Sequence, residues 1–330
     1  MRLHPNPAYD PSTVEPPRLV AAAFHQALPG YRPTPVHELD GLAAELGLAG
    51  VAVKDESNRL GLPAFKVLGA SWAIENAVTP DTTELVAASA GNHGRAVAHV
   101  AAARGLGCRV FLPARSLEAR RAAIASEGAE VVVVDGTYED AVALAAAAGR
   151  EPGTLEIADV GNSGPAHAVI DGYATLFSEA GEQAAADVII VPVGVGSLAA
   201  AAARFGAARH ATVIGVEPAT AGCLTASLAA GEPVSVPTPG TTMAGHDCAE
   251  VSPAAWPTLR AGIAGTVLVE DAETAAAMAE LAREGLAIGE SGAAPLAALR
   301  ALAYDDEARR VLDLGAGTRV LLIATEGRTG

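Results

Sequence analysis

Short β-branched and aliphatic runs alternate with alanine-rich stretches along almost the whole chain, and this alternation limits the fold more than any other feature. Residues 51–53, 85–88, 108–112, 130–134, 188–193, 213–216 and 319–324 read as strands. Residues 94–104, 117–127, 138–148, 272–284 and 293–302, and a stretch starting at Leu198, read as helices. Repeated strand–helix alternation implies parallel sheets flanked by helices. Right-handed crossovers then place the loops at the strand C-terminal ends on one side, where ligands bind. Residues 1–35, rich in proline and turn signals, read as an extended arm on the body of the protein.

A chain of 330 residues allows two domains, or one large α/β domain with an insertion. Half of it is hydrophobic and 18% charged, enough for a sizeable core. The net charge of −16 argues against nucleic acid, which is bound through Lys and Arg on phosphate. Cys108, Cys223 and Cys248 are odd in number and form no CxxC pair, so neither a disulfide framework nor a metal site is expected. The first residues lack the apolar stretch of a signal peptide, and runs such as 199–203 are too short to cross a bilayer. A soluble, cytoplasmic protein without membrane or nucleic-acid partners is expected.

Four segments carry chemistry. Lys66 lies between Phe65 and Val67, where an apolar run begins, downstream of a polar stretch, Lys54-Asp55-Glu56-Ser57-Asn58, read as a loop. A desolvated amine loses its proton more readily and becomes a nucleophile suited to a Schiff base with an aldehyde cofactor, although a lone lysine also snorkels to water. Ser89-Ala90-Gly91-Asn92-His93-Gly94 follows a strand and opens a helix; Asn92 can bond a ligand oxygen or cap the turn. Gly194-Val195-Gly196-Ser197-Leu198 joins a buried strand to a helix and forms an anion site fit for a single phosphate. Thr325, after the last strand, presents a hydroxyl to a ring nitrogen or caps a turn.

Lysine, Asn turn, Gly-rich loop and terminal hydroxyl, in that chain order, resemble the tryptophan-synthase-β-like, fold-type-II family of pyridoxal-phosphate enzymes. The resemblance implies an α/β fold of two parallel-sheet domains, the smaller (residues 68–175, mobile) inserted in the larger (1–67 and 176–330, cofactor-binding). It implies that Lys66 holds the aldehyde of pyridoxal 5'-phosphate, Asn92 faces the phenolic oxygen, Gly194 to Leu198 hold the phosphate, and Thr325 faces the pyridine nitrogen. A homodimer is implied by resemblance only. Within the family the chain is similar to the diaminopropionate ammonia-lyases, through Tyr31-Arg32-Pro33-Thr34-Pro35, Lys54-Asp55-Glu56-Ser57, Arg59-Leu60-Gly61-Leu62, Ala64-Phe65-Lys66-Val67-Leu68-Gly69, Gly172-Tyr173-Ala174-Thr175, Thr242-Met243-Ala244-Gly245 and Gly289-Glu290-Ser291-Gly292-Ala293.

One departure stands out. Those lyases place an Asp before Gly-Asn-His-Gly, whereas this chain has Ala90, as threonine and serine dehydratases do. The family's second carboxylate aligns with Asp159. The expected activity is α,β-elimination from a β-substituted L-amino acid, 2,3-diaminopropionate first, yielding pyruvate and ammonia. An L-serine or L-threonine dehydratase and a β-replacement synthase are the alternatives. Lys66 or Asp159 takes the Cα proton, and Asp159 is a candidate acid for the leaving amine. Ser89, Ala90 and Gly91 form the expected substrate-carboxylate turn. His93 reads as a packing or loop-orienting residue, and Glu290 as near the ring or structural. Tyr138, Met243, His246, Asp247 and Cys248 are candidate pocket walls.

Overall fold

Eleven strands form among the described residues: β1 (Leu3–Pro5), β2 (Val36–Glu38), β3 (Gly50–Asp55), β4 (Glu84–Ala88), β5 (Gly107–Pro113), β6 (Glu130–Val134), β7 (Thr154–Glu156), β8 (Val188–Pro192), β9 (Thr212–Pro218), β10 (Gly265–Val269) and β11 (Arg319–Ala324). The structure, a computed structural model, describes residues 2–328; Met1, Thr329 and Gly330, at the ends of the expected larger domain, lie outside the described residues. The chain divides into two compact units, residues 1–65 with 173–330, and residues 66–172.

The first unit holds a seven-stranded sheet in the order β1-β10-β9-β8-β11-β3-β2. Its inner pairs are parallel, but β1 runs antiparallel to β10 and β2 antiparallel to β3, so the sheet is mixed at both edges rather than wholly parallel. The central strands carry continuous apolar sequence because both faces are covered. All of β8, Val-Ile-Ile-Val-Pro, is buried, and β11 is buried from Val320 onward. Ile190, Ile214, Val53 and Leu322 pack in one core with Leu299 and Leu302 of the helix Glu290–Ala303.

The N-terminal region differs from the extended arm expected. Leu3, 2% exposed, anchors β1 on the sheet edge, and Val20–Gln26 forms a helix that buries Ala21 and His25. Proline limits these elements to one or two turns, too short for a periodic signal.

The second unit holds a four-stranded parallel sheet in the order β6-β5-β4-β7. Val86, Phe111 and Val134 meet Ala141 and Ala145 of the helix Tyr138–Ala148 on one face. Thr137 starts that helix in a capping box with Asp140, which satisfies two backbone donors that the first turn leaves over.

In both sheets the direction of strand addition reverses once. From β8 the chain adds β9 and β10 on one side, then returns to add β11 on the other. From β4 it adds β5 and β6 on one side, then β7 on the other. Loops leaving the two strands at such a reversal run apart, and the crevice between them is where open α/β sheets bind ligands.

Gly172 accounts for part of one motif. It lies on the helix Gly164–Gln183, against the helix Lys66–Ala77, where a Cβ would stand 2.6 Å from the Leu68 carbonyl oxygen and 2.9 Å from Gly69 Cα. Gly172→Ala gains about 1 kcal/mol of helix propensity. Forcing the two backbones apart costs about 2–3 kcal/mol. A net loss of stability is expected, read as a lower urea midpoint; an unchanged or higher midpoint would show that the helices are not in this contact.

Candidate functional site

The smaller unit places five of the expected residues, Ser89, Ala90, Gly91, Asn92 and Asp159, at the β4/β7 reversal. β4 runs into Ser89, Ala90 and Gly91, and the helix Asn92–Ala103 starts at once. The turn is tight. Gly91 N–H donates to Ser89 Oγ at 3.3 Å, and a Cβ on Gly94 would lie 2.3 Å from the Ser89 carbonyl oxygen, so residue 94 must be glycine. Asn92 is the first residue of the helix and Ala90 is half-buried. Beside β4, β7 runs into the loop that carries Asp159.

Asp159 is the electrostatic centre of this unit. Its Oδ2 accepts from Lys66 Nζ at 2.8 Å and lies 3.7 Å from His93 Nδ1. The side chains of Lys66 and Asp159 are 21% and 13% exposed, so both stay within reach of a ligand. Burial by itself raises the Asp159 carboxyl, but His93 and Lys66 hold it well below the usual carboxylate range. Asp159 is therefore a carboxylate whenever Lys66 is an ammonium. His93, 3% exposed, meets the Ile157 carbonyl through Nε2 at 2.8 Å. A carbonyl only accepts, so Nε2 carries the hydrogen and Nδ1 turns toward Asp159. Burial lowers the His93 pKa, against the pull of Asp159.

The larger unit places its candidates at the β8/β11 reversal. β8 ends at Pro192, Gly196 takes the left-handed conformation (φ 94°), and the helix Ser197–Arg209 follows. A Cβ on Gly194 would lie 2.5 Å from the Gly245 carbonyl oxygen, so this loop is pressed against residues 244–246 and only glycine fits. Thr325 follows β11. It is 4% exposed, and among the described residues its Oγ1 has no hydrogen-bond partner. A buried hydroxyl left unpaired costs about 1–3 kcal/mol, so this atom calls for a polar partner. A strand-end hydroxyl in want of a partner and a glycine turn at a helix start fit an aromatic nitrogen heterocycle carrying a phosphate.

The chain has two lysines, Lys54 and Lys66. Lys54 is fully buried, and its Nζ donates to the Thr34 carbonyl, Glu179 and Gln183 at 2.7–2.9 Å. With its three donors used, it has no access to a ligand. Lys66 is the lysine available for covalent chemistry.

Other expectations need correcting. The stretch from Lys54 to Asn58 is not all loop: Lys54 and Asp55 end β3, and Lys54 and Glu56 are both 0% exposed. Met243 is 0% exposed inside the core, where Thr274 Oγ1 meets its sulfur, and is no pocket wall. Tyr138 donates to the Ala88 carbonyl at 3.3 Å, His246 is buried, and Glu290 opens the helix Glu290–Ala303. Arg59 and Glu179, fully or nearly buried, were not anticipated as charged partners. A charge within an apolar run was the available signal, but it does not identify a partner 120 residues away.

A family model described as pyridoxal-phosphate dependent enzyme matches residues 27–326. The diaminopropionate ammonia-lyase of Salmonella typhimurium is 35% identical to this chain over 356 residues, covering 93% of this chain and 88% of that protein. The L-threonine ammonia-lyase of Geobacter sulfurreducens is 34% identical over 288 residues, covering 81% and 68%. Among solved structures, diaminopropionate ammonia lyase from Escherichia coli in complex with an aminoacrylate-PLP azomethine reaction intermediate matches with a TM-score of 0.90 and 30% identity, over 98% of this chain and 93% of that one.

The lowered His93 pKa gives stability a pH dependence. Below about pH 6.5 an unfolded His takes up a proton. The folded, buried His93 resists that proton, so the native state loses stability as pH falls through this region. His93→Gln keeps a donor for Ile157 and removes the titration. Its melting temperature should fall less than the wild type's between pH 7 and 5; parallel profiles would contradict the assignment.

Proposed function

The chain belongs to the pyridoxal-phosphate dependent enzyme family, and we propose that it catalyses α,β-elimination of ammonia from a β-substituted L-amino acid, 2,3-diaminopropionate first. The Lys66–Asp159 pair carries this reading: an amine with access to a ligand, 2.8 Å from a carboxylate. When bound, pyridoxal phosphate withdraws electrons from the Cα of the amino acid joined to it. In the smaller unit, Lys66 anchors the aldehyde carbon and Asn92 faces the phenolic oxygen. In the larger unit, Gly194, Val195, Gly196, Ser197 and Leu198 cradle the phosphate. Thr325 offers the ring nitrogen a neutral hydroxyl, supported by the unpaired state of its Oγ1.

The chain's own residues handle the protons. Lys66 Nζ takes the Cα proton, and Asp159 Oδ2, already bonded to Nζ, shares it and returns a proton to the departing amine nitrogen. His93 Nδ1 stands 3.7 Å from the same carboxylate oxygen, beyond hydrogen-bond reach. The Ser89–Gly91 turn binds the substrate carboxylate through backbone N–H groups. Overall, 2,3-diaminopropionate and water give pyruvate and two ammonia. Ala90 places no acid or base on the face opposite Lys66, which supports action on the L enantiomer alone.

The same reading makes residues 68–175 the smaller, mobile domain and residues 1–67 with 176–330 the larger cofactor-binding domain. It takes the protein as a cytoplasmic homodimer, a compartment consistent with an odd number of cysteines and no CxxC pair. No helix among the described residues is long and apolar enough to cross a membrane. The dehydratase reading has one specific residue in its favour: Ala90 stands where those enzymes also have Ala.

Assay of pyruvate and ammonia with each enantiomer of 2,3-diaminopropionate and with L-serine and L-threonine tests the proposal. Pyruvate with two ammonia per turnover from the L-diamine is expected, with at least a hundredfold preference over the D form. One ammonia per turnover from L-serine or L-threonine, and none from the diamine, would replace the lyase by a dehydratase. Asp159→Asn should lower kcat on the diamine by about 10²–10⁴-fold, the usual range for a general acid or base; an unchanged kcat would remove Asp159 from the mechanism.

A further inference from the structure

Arg59 and its neighbours form a group of buried charges that the proposed chemistry does not use. Lys54, Glu56 and Arg59 are 0% exposed and Glu179 is 5% exposed. Arg59 Nε and Nη2 donate to Glu56 at 2.8 and 2.6 Å, and Nη1 and Nη2 donate to Glu179 at 2.7 Å each. Lys54 Nζ donates to Glu179 at 2.9 Å. Thr34 Oγ1 donates to Glu56 at 2.5 Å and accepts from Arg59 at 2.9 Å; Tyr31 donates to Glu179 at 2.6 Å. Two cations and two anions balance. Burial works against the Arg59 charge, yet Glu56 and Glu179 more than offset it and hold the guanidinium above its ordinary pKa.

Such a cluster is a poor way to gain stability, since apolar residues of similar volume often do as well. What it can do is fix one conformation. The segment it fixes is unusual. Arg59 and Leu62 exchange backbone hydrogen bonds at 2.8 and 3.0 Å across a two-residue turn, with Leu60 at φ 51° and Gly61 at φ 82°. The left-handed region is unfavourable for a leucine, and a strained residue persists only where its surroundings over-determine it. Arg59, one residue earlier, supplies five of the side-chain bonds that do so.

The rest of the segment is bonded along the exit of β11. Glu56 N–H donates to the Ala324 carbonyl at 2.8 Å, Gly327 N–H to the Pro63 carbonyl at 3.0 Å, and Phe65 N–H to the Thr325 carbonyl at 3.2 Å. Ala64 pairs with Glu326. The next residue after Phe65 is Lys66. The segment is thus tied at one end to the charge cluster and at the other to the backbone of Thr325.

We propose that Arg59 is a positioning residue for the cofactor site, acting through residues 59–65 to set where the chain delivers Lys66 and how the Thr325 strand end is held. The inference rests on the reading of Lys66 and Thr325 as cofactor residues. Lysine in place of Arg59 keeps the charge and loses the planar fork that spans two carboxylates. A displacement of about 1 Å at a reacting group costs about a hundredfold in rate.

The test uses full-length protein stripped of cofactor and titrated with pyridoxal phosphate. Wild type, Arg59→Lys and Leu281→Ala are compared for melting temperature, cofactor Kd and visible absorbance. Leu281 is 1% exposed in the same unit, and its truncation supplies a loss of stability by a different route. Arg59→Lys should weaken cofactor binding at least tenfold and reduce the visible absorbance at saturation, while Leu281→Ala lowers the melting temperature and leaves Kd within twofold of wild type. Arg59→Lys with wild-type Kd and spectrum would overturn the proposal and reduce the cluster to a structural role. If Arg59→Lys does not fold, Thr34→Val deletes only the hydroxyl between Arg59 and Glu56, and a Kd weakened at least threefold is expected; an unchanged Kd overturns the proposal. A wild-type protein that takes up no cofactor would overturn the family-level reading of Lys66 and this inference with it.

Discussion

Parallel strands impose one constraint from which the rest follows: every loop at a strand C-terminal end faces the same edge of its sheet. A reversal of strand order then opens a gap between two such loops. Each unit has one reversal, and each reversal carries candidate chemistry. At β4/β7 stand the Ser89–Gly94 turn and Asp159; at β8/β11 stand the Gly194–Leu198 turn and Thr325. Glycine sits where the backbone must approach something closely, as at Gly94 and Gly194, where a Cβ would meet a carbonyl oxygen at 2.3 and 2.5 Å.

The two lysines illustrate how environment divides one residue type into two functions. Lys54 lies inside a charge-balanced cluster with its donors used. Lys66 has a carboxylate neighbour yet keeps a fifth of its side-chain surface. An amine in the first position can only hold structure together. An amine in the second can exchange its ion pair for a covalent bond, as the proposed function requires of Lys66. His93, fixed on Ile157, borders the Asp159 carboxylate without bonding it.

Much of this was legible in the sequence, and the omissions have physical causes. β6 and β11 have the predicted bounds because both are unbroken aliphatic runs; β11 is buried from Val320 onward, while β6 lies at a sheet edge and buries only Val134. β1, β2 and β7 have three residues each, too few for any period, and they were not recognised. Lys66, Asn92 and the glycine turn were singled out as candidates by type and order along the chain. The pairing of Lys66 with Asp159 across 93 positions required the fold, as did that of Arg59 with Glu179 across 120. Lys54 and Glu56 were placed in a polar loop for the same reason: buried partners such as Glu179 and Thr34 lie far along the chain.

The central claim is that Lys66 alone forms the covalent link to pyridoxal phosphate. Reduction of the cofactor-loaded protein with borohydride, followed by peptide mass mapping, tests it directly because the chain has two lysines. The account predicts a pyridoxyl-phosphate adduct on the peptide containing Lys66 and an unmodified Lys54. An adduct on Lys54, or on neither, would contradict it.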